Sequence, residues 1–189
     1  MKAYLLQMAG LYIRLQCEQE IEITDRTRPF IIEKEMEEET CCITVRTCNE
    51  IPQIPTEYHR QGMTVYGSKN GVYQIFHLDE KNEKPFAVVQ FEQTGMVAME
   101  YLPKYAKYFA TSSDILNRIG IVKLFSYYGR SILHASVVAY EGRGILFVGP
   151  SGIGKSTQAR LWEEVLGADI VNGDRAAVHK ENVWTAWGI

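Results

Sequence analysis

The chain has 189 residues, of which 46% are apolar, enough to bury the core of one ordinary domain or two small ones. Its formal net charge is −3 and its basic residues do not cluster, which argues against nucleic acid or an anionic membrane as a partner. No apolar run approaches the ~20 residues of a membrane span and the N-terminus lacks a secretory pattern, so we expect a cytoplasmic protein.

The first part of the chain is rich in strand patterns. Apolar and polar residues alternate over residues 11–17 after the Ala9-Gly10 turn, which predicts a hairpin over residues 1–23. Asn70-Gly71 between two apolar runs is a strong hairpin signal. About seven strands are predicted before residue 103.

The cysteines and the acidic run of this part do not predict a metal site. Cys17, Cys41, Cys42 and Cys48 contain no CxxC pair and show no metal-ligand spacing with histidine, so we expect reduced thiols and no structural zinc. Residues 33–39 form an acidic run, for which a solvated loop is the simpler interpretation and a docking site the alternative.

The pattern changes from a period of two to one of 3.6 near residue 110. A helix is predicted to about Tyr128, capped by Ser112, Ser113 or Asp114 and followed by Gly129. We therefore predict two domains, a β-rich one over residues 1–110 and a second one over residues 111–189.

The second domain contains a phosphate-loop motif. Residues 149–157 fit GxxxxGK(S/T), a glycine-rich loop whose backbone N–H groups turn toward a polyphosphate. The apolar strand Ile145–Val148 precedes the loop, and a helix over Ser156–Leu166 is predicted after it, with Leu161, Trp162, Val165 and Leu166 on its apolar face. The residues predicted to hold a nucleotide are Gly149, Ser151, Gly152, Ile153, Gly154, Lys155, Ser156 and Thr157.

The order of strand, loop and helix has an electrostatic reason. The start of a helix offers unpaired N–H donors and the positive end of its dipole, both of which stabilise a bound phosphate. Lys155 is expected to contact the β and γ phosphates, and the Ser156 hydroxyl to bind Mg²⁺. The alternative is a glycine-rich turn without a ligand.

Several polar residues near the loop admit two interpretations. Asp174 follows an apolar strand and can hold Mg²⁺ or accept a proton, or it can simply end an Asn-Gly-Asp turn. His134 can relay a proton or be a structural residue of its strand. Arg160 and Arg175 can contact phosphate or be solvated surface charges.

Together, Leu133-His134-Ala135, the loop at residues 149–157 and Asn172-Gly173-Asp174-Arg175 resemble the core of the HPr serine kinase/phosphorylase superfamily, which is related to ATP-dependent phosphoenolpyruvate carboxykinase. The resemblance covers about residues 131–180 and implies ATP and Mg²⁺ as cofactors. It also implies acid/base or metal-linked roles for His134 and Asp174. Lys155 is expected to be the third catalytic residue.

The chain departs from that family at two points. Gly173 stands where the bifunctional enzymes have a first aspartate, which makes the phosphorylase half of the activity doubtful. The sequence also ends where the family continues, so the expected fold is an α+β or α/β protein with a β-rich N-terminal domain and an incomplete phosphate-loop core.

The expected function is a Mg²⁺-dependent phosphotransferase acting on a protein or peptide serine or threonine, or on a small hydroxyl acceptor. The alternative is a nucleotide-binding regulatory or remnant protein without catalysis. A guanylate-kinase-like enzyme is disfavoured because that family carries its loop near the N-terminus. A further alternative is that residues 1–110 form a peptide-binding module. A homo-oligomer also remains open.

Overall fold

The computed structural model describes residues 1–33, 40–53, 58–61, 64–67, 72–78, 84–92 and 95–189. It is a mixed α/β structure with two β-sheets. The chain divides into two compact units, one comprising Met1–Gln7 and Leu11–Gly120, the other Met8–Gly10 and Ile121–Ile189. The division between them falls at Gly120, after the first α-helix, whereas the sequence placed the boundary near residue 110.

The first unit is built on a mixed eight-stranded sheet in the order β1-β2-β3-β8-β7-β6-β5-β4. Strand β3 is parallel to both of its neighbours, β2 and β8, and the ladder from β8 to β4 is antiparallel. The strands are β1 (Lys2–Met8), β2 (Leu11–Cys17), β3 (Cys41–Thr47), β4 (Tyr58–Gln61), β5 (Thr64–Gly67), β6 (Val72–His77), β7 (Pro85–Phe91) and β8 (Val97–Tyr101).

The alternation in β2 has the predicted consequence. Leu11, Ile13, Leu15 and Cys17 are buried and the residues between them are half-buried, as expected for a strand with one face on the core. Eight strands precede residue 103 in the described residues, since Tyr58–Gln61 forms one that the sequence did not indicate. The predicted Asn70-Gly71 turn and residues 34–39 of the acidic run lie outside the described residues.

The predicted helix over residues 112–128 is divided into α1 (Ser112–Ile119) and α2 (Ile121–Tyr127). Gly120 adopts φ 74°, a left-handed conformation that ends α1 and that glycine adopts without steric cost. The N-cap is Thr111, whose hydroxyl accepts a hydrogen bond from the Asp114 N–H at 3.1 Å, so the three predicted capping residues were wrong. Two 3-10 segments, Arg28–Phe30 and Pro103–Phe109, complete the helical elements of the described first unit.

The second unit is organised around one long strand, β9 (Ser131–Tyr140), in a five-stranded sheet. Strand β10 (Arg143–Val148) pairs with one side of β9. Two shorter strands share its other side, β12 (Arg175–Lys180) along residues 131–134 and β11 (Asp169–Asn172) along residues 137–139. The sheet ends in β13 (Trp184–Gly188), which pairs with β12.

Helix α3 (Lys155–Leu166) covers one face of this sheet. Ala159 is buried against Val138, and the Trp162 ring packs edge-on against Phe147 with centroids 5.8 Å apart. Of the four residues predicted on the apolar face of this helix, Trp162 packs inward, whereas Leu161, Val165 and Leu166 are exposed. The inward positions are Lys155, Ala159 and Trp162, at spacings of four and three.

Within the residues that the structure describes, no helix combines the length and the apolar character needed to cross a membrane.

Candidate functional site

The predicted phosphate loop connects β10 to α3, in the order that the motif requires. Gly152 and Gly154 adopt φ 81° and 100°, conformations that side-chain-bearing residues rarely adopt. Helix α3 begins at Lys155 directly after Gly154, and its first turn reads Lys-Ser-Thr-Gln. The positive end of α3 therefore lies beside a turn without an acidic side chain, an arrangement that favours an anion.

The Lys155 side chain lies inside this loop. It is 8% exposed, and its Nζ donates to the carbonyl oxygens of Gly149 and Pro150, each at 3.0 Å. The loop carbonyls thus hold a positive charge at the start of the helix. A lysine has three donors on a flexible stem, so the same ammonium can turn toward phosphate oxygens that enter the loop.

Ser156 links the helix start to a second segment of the site. Its hydroxyl donates to the carbonyl oxygen of Gly173 at 3.3 Å and lies 3.4 Å from the Ser136 hydroxyl. Ser136 donates to the same Gly173 oxygen at 2.8 Å. Three elements, β9, α3 and the turn after β11, therefore meet at one backbone carbonyl.

The turn between β11 and β12 is held in place by its own side chain and by β9. The Asn172 side-chain oxygen accepts from the N–H groups of Asp174 and Arg175, at 2.8 and 3.1 Å, which is the Asx-type turn that the alternative interpretation predicted. The Ala135 N–H donates to the Asp174 carbonyl at 3.0 Å. These bonds hold the backbone of the turn that carries the Asp174 side chain.

His134 and Asp174 come together at the same edge. Their closest atoms, His134 Nε2 and Asp174 Oδ1, are 3.1 Å apart, while Arg175 Nε lies 3.5 Å from Asp174 Oδ2. The three side chains are 50%, 70% and 60% exposed. The carboxylate is thus oriented by two basic groups and remains accessible to a reactant from solvent. Arg160 lies on α3 and is exposed.

The chemistry of these side chains fits a magnesium nucleotide. Magnesium takes oxygen ligands and is commonly held by one or two carboxylates together with substrate phosphates, rather than by an all-protein cage. Ser156 supplies a hydroxyl that is bonded to the Gly173 carbonyl, and Asp174, the next residue after Gly173, supplies a carboxylate. Among the described residues no cluster of three His, Cys, Asp or Glu side chains is placed to hold a metal ion. Such a metal would therefore take its remaining ligands from phosphate oxygens and water.

Sequence reasoning did not single out Ser136, which the structure places beside Ser156 and Gly173. Its signal was a serine within the otherwise apolar run Ala135–Val138, a pattern that indicates a hydrogen-bonded polar group in the core. The side chain is fully buried, and its partner Gly173 is 37 residues away in sequence.

Comparison with protein-family models, curated proteins and solved structures found no match to this chain.

Proposed function

We propose that this protein binds ATP with Mg²⁺ at the β10–α3 loop and transfers the γ-phosphoryl group to a hydroxyl. The acceptor is a serine or threonine of a protein or peptide, or a small hydroxyl compound, as in HPr kinase-like enzymes. The observation that carries the proposal is the link from Ser156 through the Gly173 carbonyl to Asp174, which joins the phosphate loop to a carboxylate.

The loop and the start of α3 account for nucleotide binding. Lys155 exchanges its bonds to the loop carbonyls for bonds to the terminal phosphates, and the first-turn N–H groups of α3 add further donors. The Ser156 oxygen and the Asp174 carboxylate are the protein groups available to the metal. Bound magnesium would neutralise charge on the phosphates.

Asp174 and His134 account for the acceptor side. Phosphoryl transfer needs a group that accepts the proton of the attacking hydroxyl, and Asp174 Oδ1 with His134 Nε2 at 3.1 Å is a suitable pair for that role. With Asp174 70% exposed, a hydroxyl carried by a macromolecule can reach it. Arg175, on the other carboxylate oxygen, orients Asp174 and adds positive charge near the transferred group.

A second candidate is nucleotide binding without catalysis. The observation that favours it is Gly173, which places a hydrogen where the resembling bifunctional enzymes carry a carboxylate. A single carboxylate must then serve both the metal and the proton, and a binding or regulatory protein needs only the loop, Lys155 and Ser156.

The test combines calorimetry with a transfer assay. The purified 189-residue protein is titrated with ATP in excess Mg²⁺ and again in EDTA. It is then incubated with γ-labelled ATP and a panel of serine- and threonine-containing peptides, carrier proteins and small alcohols. Magnesium-dependent binding with label transfer that Asp174→Asn abolishes supports the kinase. Binding without transfer supports the second candidate, and absence of ATP binding rejects both.

A further inference from the structure

The buried hydroxyl of Ser136 has a place in the site that the proposed chemistry does not yet use. Ser136 is fully buried on β9, faces the start of α3, and lies within hydrogen-bond range of both Ser156 and the Gly173 carbonyl. We propose that Ser136 is a positioning residue for the Ser156 hydroxyl, and that it acts by fixing the Gly173 carbonyl as the acceptor of the Ser156 proton. This inference rests on the proposed nucleotide site.

The Ser156 hydroxyl has one proton, and its direction determines which lone pairs are free. A serine that binds a metal through an oxygen lone pair must direct its own proton toward another acceptor. Two acceptors lie within range of Ser156 Oγ, the Ser136 hydroxyl oxygen at 3.4 Å and the Gly173 carbonyl oxygen at 3.3 Å, and the shorter bond is to the carbonyl. Because a bound cation makes a hydroxyl a stronger donor, this bond is expected to strengthen when the metal is present.

The Gly173 carbonyl lies in a turn between two short strands. Asn172 and β9 hold the neighbouring groups of this turn, the N–H groups of Asp174 and Arg175 and the Asp174 carbonyl, whereas Ser136 holds the Gly173 oxygen itself. Ser136 lies on the central strand β9, and its hydroxyl donates a hydrogen bond to the Gly173 oxygen at 2.8 Å. A carbonyl oxygen has two lone pairs and can accept from Ser136 and Ser156 together. Ser136 thus fixes the direction of the Ser156 O–H bond. It thereby determines which oxygen lone pair of Ser156 would be available to a metal.

Asp174 is tied to the same carbonyl group through the backbone. The carbonyl that Ser136 holds belongs to the residue directly before the candidate metal and proton-transfer carboxylate. One buried hydroxyl therefore ties the helix that presents Ser156 and the turn that presents Asp174 to the same strand. Partners that orient metal ligands in this way commonly change metal affinity by tenfold or more when they are removed.

The experiment measures how much Mg²⁺ strengthens ATP binding. The dissociation constant for ATP is determined by calorimetry in EDTA and in saturating Mg²⁺, and their ratio is the magnesium effect. It is compared among the wild-type protein, Ser136→Ala, Ser156→Ala and the double variant. Ser112→Ala is the matched control, because Ser112 is also fully buried and its hydroxyl accepts from the Thr24 N–H in the first unit.

We expect Ser136→Ala to keep the affinity for ATP in EDTA within about twofold and to reduce the magnesium effect about tenfold. In the Ser156→Ala background, removing the Ser136 hydroxyl should change the magnesium effect by much less than tenfold, because Ser136 acts mainly through Ser156. Ser112→Ala should leave the effect at the wild-type value.

Three outcomes overturn the inference, and they can be told apart. An unchanged magnesium effect in Ser136→Ala, or an equal loss in both backgrounds, rejects Ser136 as a positioning residue while leaving the nucleotide site intact. Absence of magnesium-dependent ATP binding in the wild-type protein rejects the proposed function and the inference with it. Thermal unfolding checks that each variant folds. Should Ser136→Ala not fold, Ser136→Cys keeps the volume with a weaker donor and should show the same selective loss.

Discussion

His134 and Asp174 meet because of strand register: His134 on β9 lies directly opposite Arg175 on β12, and Asp174 is the residue just before that pair. The result is a distance of 3.1 Å between His134 Nε2 and Asp174 Oδ1, although the two residues are far apart in sequence. Neither side chain is buried, so the pair is held by the sheet rather than by packing. The account of phosphoryl transfer depends on this relationship.

We predict that Asp174→Asn lowers phosphate transfer at least about a hundredfold, because an amide cannot accept the acceptor's proton. The affinity for ATP should change much less, since the loop and Lys155 provide most of the binding. His134→Asn should lower transfer by a smaller factor. Initial rates with labelled ATP and calorimetry on the same samples measure both quantities.

The matched control for the histidine is His179→Asn. His179 lies on β12, the same strand as Arg175, with its Nδ1 2.8 Å from the Gly129 carbonyl and away from the pair. Transfer should stay at the wild-type rate in this variant. Equal losses in His134→Asn and His179→Asn would contradict a specific role for His134.

The turn that carries Gly173 should tolerate a side chain. A Cβ added at Gly173 would meet no described atom within 4 Å, whereas one at Gly188 would lie 2.9 Å from the Asn172 Cβ and 3.0 Å from the Val171 carbonyl oxygen. Gly173→Ala is therefore expected to change the free energy of unfolding by less than about 0.5 kcal/mol. Gly188→Ala should cost about 1–3 kcal/mol. Urea unfolding of both variants tests this contrast, and similar stabilities would contradict the described turn.

Gly10 should be a sensitive position of the second unit. It adopts φ 71°, and a Cβ there would lie 2.9 Å from Cζ2 of the Trp187 ring. Gly10→Ala is expected to destabilise the protein by about 1–3 kcal/mol, through backbone strain together with displacement of Trp187. Thermal unfolding and tryptophan fluorescence report the two effects.

Gly142→Ala separates backbone strain from the tryptophan clash. Gly142 has nearly the same φ, 73°, but a Cβ there would reach no described atom within 4 Å. Its cost should be the strain alone, about 1 kcal/mol. If Gly10→Ala is no more destabilising than Gly142→Ala, the packing of Trp187 on the Ala9-Gly10 turn is refuted.

Cys17 is expected to be an unreactive thiol in the folded protein. Burial raises the pKa of Cys17 to about 11, so the thiolate is about a hundredfold scarcer at pH 8 than in the unfolded chain. Because the folded pKa lies above the unfolded value, this group favours folding below about pH 9, and the contribution is lost as the pH rises toward 11.

The measurement for Cys17 is alkylation by iodoacetamide, followed by mass spectrometry at each cysteine. Native protein at pH 8 should label Cys17 far more slowly than protein in concentrated urea, and the native rate should rise with pH. Equal rates in the native and unfolded samples would contradict the buried environment.

The sequence predicted the local parts of the candidate site and missed the parts that depend on tertiary contacts. The strand, loop and helix around Lys155 form from neighbouring residues, so periodicity and glycine placement were enough to locate them. The link from Ser136 to Gly173 depends on how β11 and β12 share one side of β9, which no local pattern encodes.

Two errors in the fold have similar causes. The break at Gly120 was missed because the apolar spacing continues across it, although Gly120 itself was the available signal. The inward face of α3 was assigned correctly only at Trp162, because small Ala159, rather than larger Leu161, is the other apolar residue that meets the sheet. Periodicity identifies apolar positions, but which of them face a partner depends on the tertiary structure.

The most direct test of the central claim is the affinity of Lys155→Ala for ATP in the presence of Mg²⁺, measured by calorimetry beside Lys180→Ala. Lys180 is an exposed lysine whose ammonium lies 5.9 Å from the Trp184 ring centroid, remote in sequence from the loop, and it controls for the loss of one positive charge. The account predicts that Lys155→Ala lowers the affinity about a hundredfold or abolishes binding, whereas Lys180→Ala binds as the wild type does. Unchanged affinity in Lys155→Ala would contradict the assignment of the loop as a nucleotide site.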